Sequence, residues 1–269
     1  MGTLLQGPAP RAQPLHFRTG FSRYAALVAY MAWTDMQSRY KRSVLGPLWL
    51  TLGTAVGTLG PGILWSELLH MDRNVFIPPL TAGLIIWQFI TGCITDGPSV
   101  LTRQASIIRN IPLPLMIHPV QSVVKHLINL LHNLPIFIIV VGLLHVPVNL
   151  NTLLVIPALA LTVLNLLWAS ILLSMMGARF RDLEYLIGAV MPILMFLSPV
   201  MYRPSYLPFS HRIMWLNPFS HMIELIRYPM LGVPPPTFLI WTNLAMCVVG
   251  WGLAIAFFSA KRHRVGFWV

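Results

Sequence analysis

HLINLLHNLPIFIIVVGLLHVPVNLNTLLVIPALALTVLNLLWASILLSMMGA, residues 126–178, holds no Asp, Glu, Lys or Arg and lies between Lys125 and Arg179. A helix rises about 1.5 Å per residue, and roughly 20 apolar residues cross a hydrocarbon core. The stretch is too apolar for water and too long for one crossing. Pro and Asn in HVPVNLN (145–151) supply a turn in its middle. With its apolar approach included, it reads as a hairpin of two transmembrane helices, about 115–144 and 151–178.

Working outward, four more segments have spanning length: about 43–66, closed by Glu67, then 74–97, 184–202 and 237–260. The last follows the breaker Pro234-Pro235-Pro236. Composition agrees, because 56% of the chain is hydrophobic and only 9% is charged. Soluble domains carry roughly a quarter charged residues. The expected fold class is an all-α membrane protein with six transmembrane helices.

The formal net charge of +11 would suggest a nucleic-acid partner in a soluble protein. Here the basic residues sit at the ends of apolar runs, which excludes a nucleic-acid stripe. Counted loop by loop, with Lys125 placed in the loop after the second span, fourteen Lys and Arg fall on one side of the membrane and four on the other. The excess places both termini in the cytoplasm. Residues 1–20 are Pro-rich and lack a continuous apolar core, so they read as a flexible cytoplasmic N-terminus and not as a cleaved leader. Residues 261–269 read as a cytoplasmic tail.

Three connecting segments are more than loops. Over 21–42, Phe21, Tyr24, Leu27, Val28 and Met31 recur at helical spacing, which predicts an interface helix with an Asp35–Arg39 pair. Over about 99–110, Ser99 is placed to cap a short basic helix that Pro112 and Pro114 end, a docking element for a soluble partner. The segment 199–236 is too apolar for a free loop. Asn217-Pro218 starts a helix within it, and about 205–230 reads as re-entrant.

No GxSxG, HExxH or Walker A pattern occurs. Cys93 and Cys247 have no metal-binding spacing, and His118, His126 and His132 are poorly spaced for ligands. No metal and no cofactor is expected on this chain. Glu224 is the one charge expected at mid-membrane depth, which argues against an ion-coupled carrier and for an external motor. Gly53, Gly57 and Gly60 allow close helix packing. The tryptophans are interfacial anchors or pore-lining rings on which sugars can slide.

RYKRSVLGPLW (39–49), RDLEYLIGAVMPILMFLSPVMY (181–202) and LNPFSHMIELIRYPMLG (216–232) together resemble, in this order, motifs of polysaccharide-exporting ABC transporter permeases, the ABC-2 type membrane subunits of O-antigen, capsule and teichoic-acid exporters. The resemblance implies an inner-membrane homodimer that exports a lipid-linked polysaccharide. It also implies two copies of an ATPase subunit, which would hold the ATP and Mg. Periplasmic or outer-membrane export partners are compatible with it. It assigns Arg39, Tyr40, Arg42 and Trp49 to the substrate entrance, and Arg103, Gln104, Ile107, Ile108 and Arg109 to the coupling helix. Pro199, Tyr202, Asn217, Pro218, His221, Glu224 and Arg227 would form an external gate. The rival readings are a membrane-embedded enzyme acting on a lipid-linked sugar and a non-polysaccharide ABC-2 type exporter.

Overall fold

The computed structural model describes residues 20–41, 43, 44, 46, 48–68, 70–111, 113–202 and 215–269. Every regular element among them is helical: α1 (Gly20–Tyr40), α2 (Leu48–Leu68), α3 (Arg73–Asp96), α4 (Val100–Arg103), α5 (Ala105–Asn110), α6 (Ile117–Leu143), α7 (Val155–Arg179), α8 (Asp182–Leu197), α9 (Pro218–Met230) and α10 (Thr237–Trp268), with 3-10 turns at Gly97–Ser99 and Leu150–Leu154. The N-terminal segment 1–19, Arg42 and the first part of the expected gate, 205–214, lie outside the described residues.

Four described helical stretches are long and apolar enough to cross a membrane: Arg73–Arg103, Ile117–Leu143, Leu150–Arg179 and Thr237–Trp268. The hairpin read from the charge-free stretch is the middle pair. The two remaining expected spans are also helical. However, α8 has 16 residues, about 24 Å of helix, against a core of about 30 Å. In α2 the apolar run is diluted by Gly, Thr and Pro61.

Helix α3 is the centre of the bundle. Its most apolar part is 78% buried, against 22–33% in the other three spans. It packs on α2, α6, α7, α8 and α9, and Leu80, Ile85, Ile86, Phe89 and Ile90 fill the core. The peripheral helices turn large apolar side chains outward, among them Ile138 on α6, Trp241 on α10 and Phe196 on α8. Apolar exposure on that scale suits lipid or a second membrane helix.

Helix α1 buries Val28, Ala32 and Met36, an i, i+4, i+8 stripe that packs on α6. This differs from the expected stripe, since Tyr24 is exposed. Small Ala32 lets the helix approach closely where the bulkier residues do not. Ser43 and Gly46 lie between α1 and α2. The Gly46 N–H donates to Ser43 Oγ over 3.2 Å, and Gly46 has φ +53°, a value that glycine takes without strain.

The C-terminal helix was expected to end near residue 260. Instead α10 runs unbroken to Trp268, with Arg262 and Arg264 exposed, Lys261 half-buried and Val265 fully buried. Residues 261–268 are thus helix, and the basic residues do not break it because their side chains reach solvent.

Candidate functional site

The polar residues of three helices meet in one groove. Gln88, Thr91, Gly92 and Thr95 share a face of α3 at helical spacing, and His126, Asn129 and Asn133 share a face of α6. With Trp49, Gly53 and Thr54 of α2 and with Trp87 they line a cleft of about 540 Å³. Thr54 Oγ1 donates to Gln88 Oε1 over 3.0 Å. The Asn133 side-chain N–H donates to the same oxygen, also over 3.0 Å. Thr91 Oγ1 and Asn129 Oδ1 are buried with no hydrogen-bond partner among the described residues. Polar groups at this depth in a span are costly unless a ligand, water or each other satisfies them. Amides, hydroxyls and the exposed Trp49 indole around one cleft are groups that bind hydroxyl-rich rings, through hydrogen bonds and through an apolar ring face.

A charge cluster closes the groove at the end of α3. Asp96 accepts from Lys125 Nζ over 2.5 Å and lies 2.9 Å from His126 Nε2. Its other oxygen accepts from the Arg103 guanidinium over 3.0 Å. The expectation that Lys125 is a loop residue is corrected: it lies inside α6 with its side chain 8% exposed. Glu224 is accordingly not the one charge held among the spans. The charge asymmetry between the two sides keeps its sign with Lys125 removed from the count.

The expected coupling helix is broken in two. Gln104 leaves helical geometry between α4 and α5, with Arg103 on α4 and Ile107, Ile108 and Arg109 on α5. Ser99 makes no side-chain cap to the helix. Its Oγ instead accepts from the Arg103 guanidinium over 2.5 Å, a charge-assisted bond that outcompetes a neutral N–H. Arg109 Nε donates to the main-chain oxygen of Val269 over 3.0 Å. Leu101, Met175, Ala178, Val265 and Val269 form an apolar cluster beside that bond.

At the other end, the segment assigned to the gate is largely buried. Asn217 caps α9 by accepting from the Phe219 N–H over 3.0 Å, with Pro218 at the first helical position. Asn217 also donates to Ser198 Oγ over 2.7 Å. Glu224 and Arg227 form an ion pair whose side chains are 3% and 2% exposed. Arg227 donates further to the carbonyls of Pro199 (2.6 Å) and Tyr202 (3.2 Å). This pins α9 to the chain that leaves α8. Gly83 of α3 lies against this crossover, where any Cβ would meet the Val200 carbonyl. His221 Nε2 donates to the Trp215 carbonyl over 2.8 Å, and Trp215 packs edge-on to Phe238. The side chains of Asn149 and Asn151 donate to Gly232 O, tying the end of α9 to the α6–α7 turn.

The structure therefore brings together Pro199, Tyr202, Asn217, Glu224 and Arg227, residues that the resemblance assigns to a gate. It does not join them to the coupling segment, which lies at the opposite end of the bundle. Of the entrance residues, Trp49 is 56% exposed beside the groove. Arg39 and Tyr40 close α1, their side chains and all of Arg42 lying outside the described residues. Sequence reasoning missed the groove itself. Its signal was the coincident spacing of Gln88, Thr91 and Thr95 with His126, Asn129 and Asn133, polar residues without a carboxylate, ammonium or guanidinium, which leave the charge-free runs unbroken.

The sequence is similar to an O-antigen export system permease protein RfbA of Klebsiella pneumoniae, 25% identical over 242 residues that cover 86% of this chain and 90% of the relative. A second Klebsiella pneumoniae protein of that name is 22% identical with the same coverage. One from Myxococcus xanthus is 23% identical over 68% of this chain and 70% of its own length. Residues 26–231 match the ABC-2 type transporter family, a region that includes the groove, the α4–α5 segment and the buried ion pair. By that match the chain belongs to the ABC-2 type transporters, as a membrane-embedded transport subunit.

Proposed function

We propose that this chain is the permease subunit of an ATP-driven exporter that moves a lipid-linked cell-surface polysaccharide across the bacterial inner membrane. The groove lined by Trp49, Trp87, Thr54, Gln88, Thr91 and Asn133 carries the reading. It sets hydrogen-bonding groups beside the exposed Trp49 ring, which suits a passing sugar chain better than an apolar cargo. The relatives' names point the same way. In this reading α2 and α8 complete six spans, both termini are cytoplasmic, and α4–α5 receives the stroke of a separate ATPase that holds ATP and Mg. Arg39 and Arg42 attract the lipid diphosphate at the entrance, since guanidinium groups match phosphate oxygens. The α9 segment lies at the external end.

Two such subunits would pair through α2 and α8. A Cβ added at Gly53, Gly57 or Gly60 meets nothing within 4 Å, so these small residues are not used for packing inside the described chain. Leu52, Val56 and Leu59 beside them are exposed. Gly57→Leu is expected to leave the chain folded and abolish the dimer, read by cysteine cross-linking along α2 in membranes. Undiminished cross-linking would move the interface elsewhere.

The test of the whole reading is co-expression with a candidate ATP-binding cassette ATPase subunit from the same organism. A stable complex is expected, with ATP-dependent export of labelled lipid-linked glycan in vesicles and none without ATP. A complex that hydrolyses ATP but moves only unglycosylated lipid would favour the non-polysaccharide exporter.

A further inference from the structure

A second cleft, of about 580 Å³, lies on the side of Asp96 facing α1. One wall is a face of α6 carrying His118, Gln121, Ser122 and Lys125, at i, i+3, i+4 and i+7. Asp35 and Ser38 of α1 and Arg103 of α4 stand opposite. His118 is 1% exposed, Gln121 6% and Ser122 5%. Both ring nitrogens of His118, Gln121 Oε1 and Ser122 Oγ have no hydrogen-bond partner among the described residues. Buried polar atoms are nearly always satisfied, so several unsatisfied atoms on one helix face call for something that fills the cleft.

Three observations define what fits. The cleft sits where α3 ends at Asp96 and α6 begins at Ile117, which is the level of lipid headgroups for two helices that cross a bilayer. Its charges balance, Asp35 and Asp96 against Lys125 and Arg103, so a ligand with both signs suits it better than a bare anion. Ser38 also borders a neighbouring cleft of about 700 Å³ walled by Trp33, Met36 and Gly46, where an apolar chain has room beside the headgroup.

We propose that the α1–α4–α6 cleft binds one membrane phospholipid through a zwitterionic headgroup of the phosphoethanolamine type. The phosphate accepts from Lys125, Arg103, the Ser122 hydroxyl and a His118 N–H. The ammonium donates to Asp35 and Gln121 Oε1. A lysine carries three N–H donors and only one here is given to Asp96, so Lys125 serves both. The lipid would then be a fixed part of the joint between α1 and the α4–α5 segment. The site does not depend on the transported cargo, so it stands or falls separately from the export reading.

The test is native mass spectrometry of the full-length chain purified from nanodiscs of equimolar phosphatidylethanolamine and phosphatidylglycerol. The wild type is expected to retain one phosphatidylethanolamine in preference to phosphatidylglycerol. Asp35→Asn, a change on an exposed side chain, is expected to lower that preference at least threefold with the fold intact. Gln121→Leu/Ser122→Ala is expected to lower retention of both lipids at least fivefold. Equal retention of the two lipids by the wild type overturns the zwitterion assignment. Retention of no lipid, or its displacement by millimolar inorganic phosphate, overturns the lipid site in favour of water or a free anion.

Discussion

Arg227→Ala is expected to remove about 3–5 kcal/mol of stability, the usual cost of leaving a buried charge without its partner. The cost has three sources. Glu224 loses its counter-ion in a pocket where its side chain is 3% exposed. The carbonyls of Pro199 and Tyr202 lose a charged donor. A cavity opens where a long, fully buried side chain stood. Glu224→Ala is expected to cost as much, since it strands the guanidinium among the spans. The double variant Glu224→Leu/Arg227→Met removes both charges and keeps the volume. It is expected to be more stable than either single variant, because the desolvation cost of the pair disappears with the pair. Thermal unfolding of purified protein, together with membrane yield, gives the three values. Single variants that unfold like the wild type would mean that water reaches the pair and that α9 is held by its apolar contacts and by the Asn217, Asn243 and Asn149 hydrogen bonds. If the double variant also keeps export, the pair is an anchor for α9 and takes no part in the movement of substrate.

How far the sequence foretells this arrangement depends on the type of residue. The α6–α7 hairpin is legible because the charge-free stretch and the HVPVNLN turn are both local signals. Asn217-Pro218 announces α9 for the same reason, since a cap and an N1 proline act within one turn. Lys125 was misread because a lysine beside an apolar run is ordinarily interfacial. Its burial depends on Asp96, 29 residues away in sequence, and no local pattern carries that pairing. The α1 stripe was shifted because periodicity weighs side chains by size, whereas the helix packs on α6 through small Ala32. The groove was invisible for a related reason. Thr, Gln and Asn carry no charge and so do not interrupt a charge-free run, and only the packing of α2, α3 and α6 shows that they share a cleft. The end of α10 was read as a tail because three basic residues usually mark an exit from the membrane. Val265 and Val269, which anchor it, follow those charges.

That anchored end leads to the second large effect. Arg109→Ala, or removal of residues 265–269, is expected to cut export at least about fivefold while ATP hydrolysis by the assembled complex stays near wild type. Fivefold is the lower edge of ordinary coupling between distant sites. The argument follows one helix. α10 has 32 residues, about 48 Å of continuous α-helix. Near one end Val265 and Val269 pack with Leu101 and Ile108 of the α4–α5 segment, and Arg109 grips the Val269 carbonyl. Near the other, the Asn243 side chain donates to the His221 carbonyl of α9 over 3.1 Å, and Phe238 packs on Trp215. Asn165 of α7 donates to the Asn243 carbonyl over 3.1 Å, which fixes the height of α10 against its neighbour. If α4–α5 receives the stroke of an ATPase, as proposed above, its displacement reaches the opposite end of the bundle through a rod fastened at both ends. Cutting the fastening at Arg109 leaves the groove, the ion pair and the α7–α10 packing in place, so the protein should still fold and assemble. ATPase rate and glycan export measured on the same vesicles separate the outcomes. Hydrolysis without export marks α10 as the connecting element. Export at the wild-type rate would mean that the stroke travels through α3 and α7, both touched by the Gly97–Ser99 turn, and α7 also by α4.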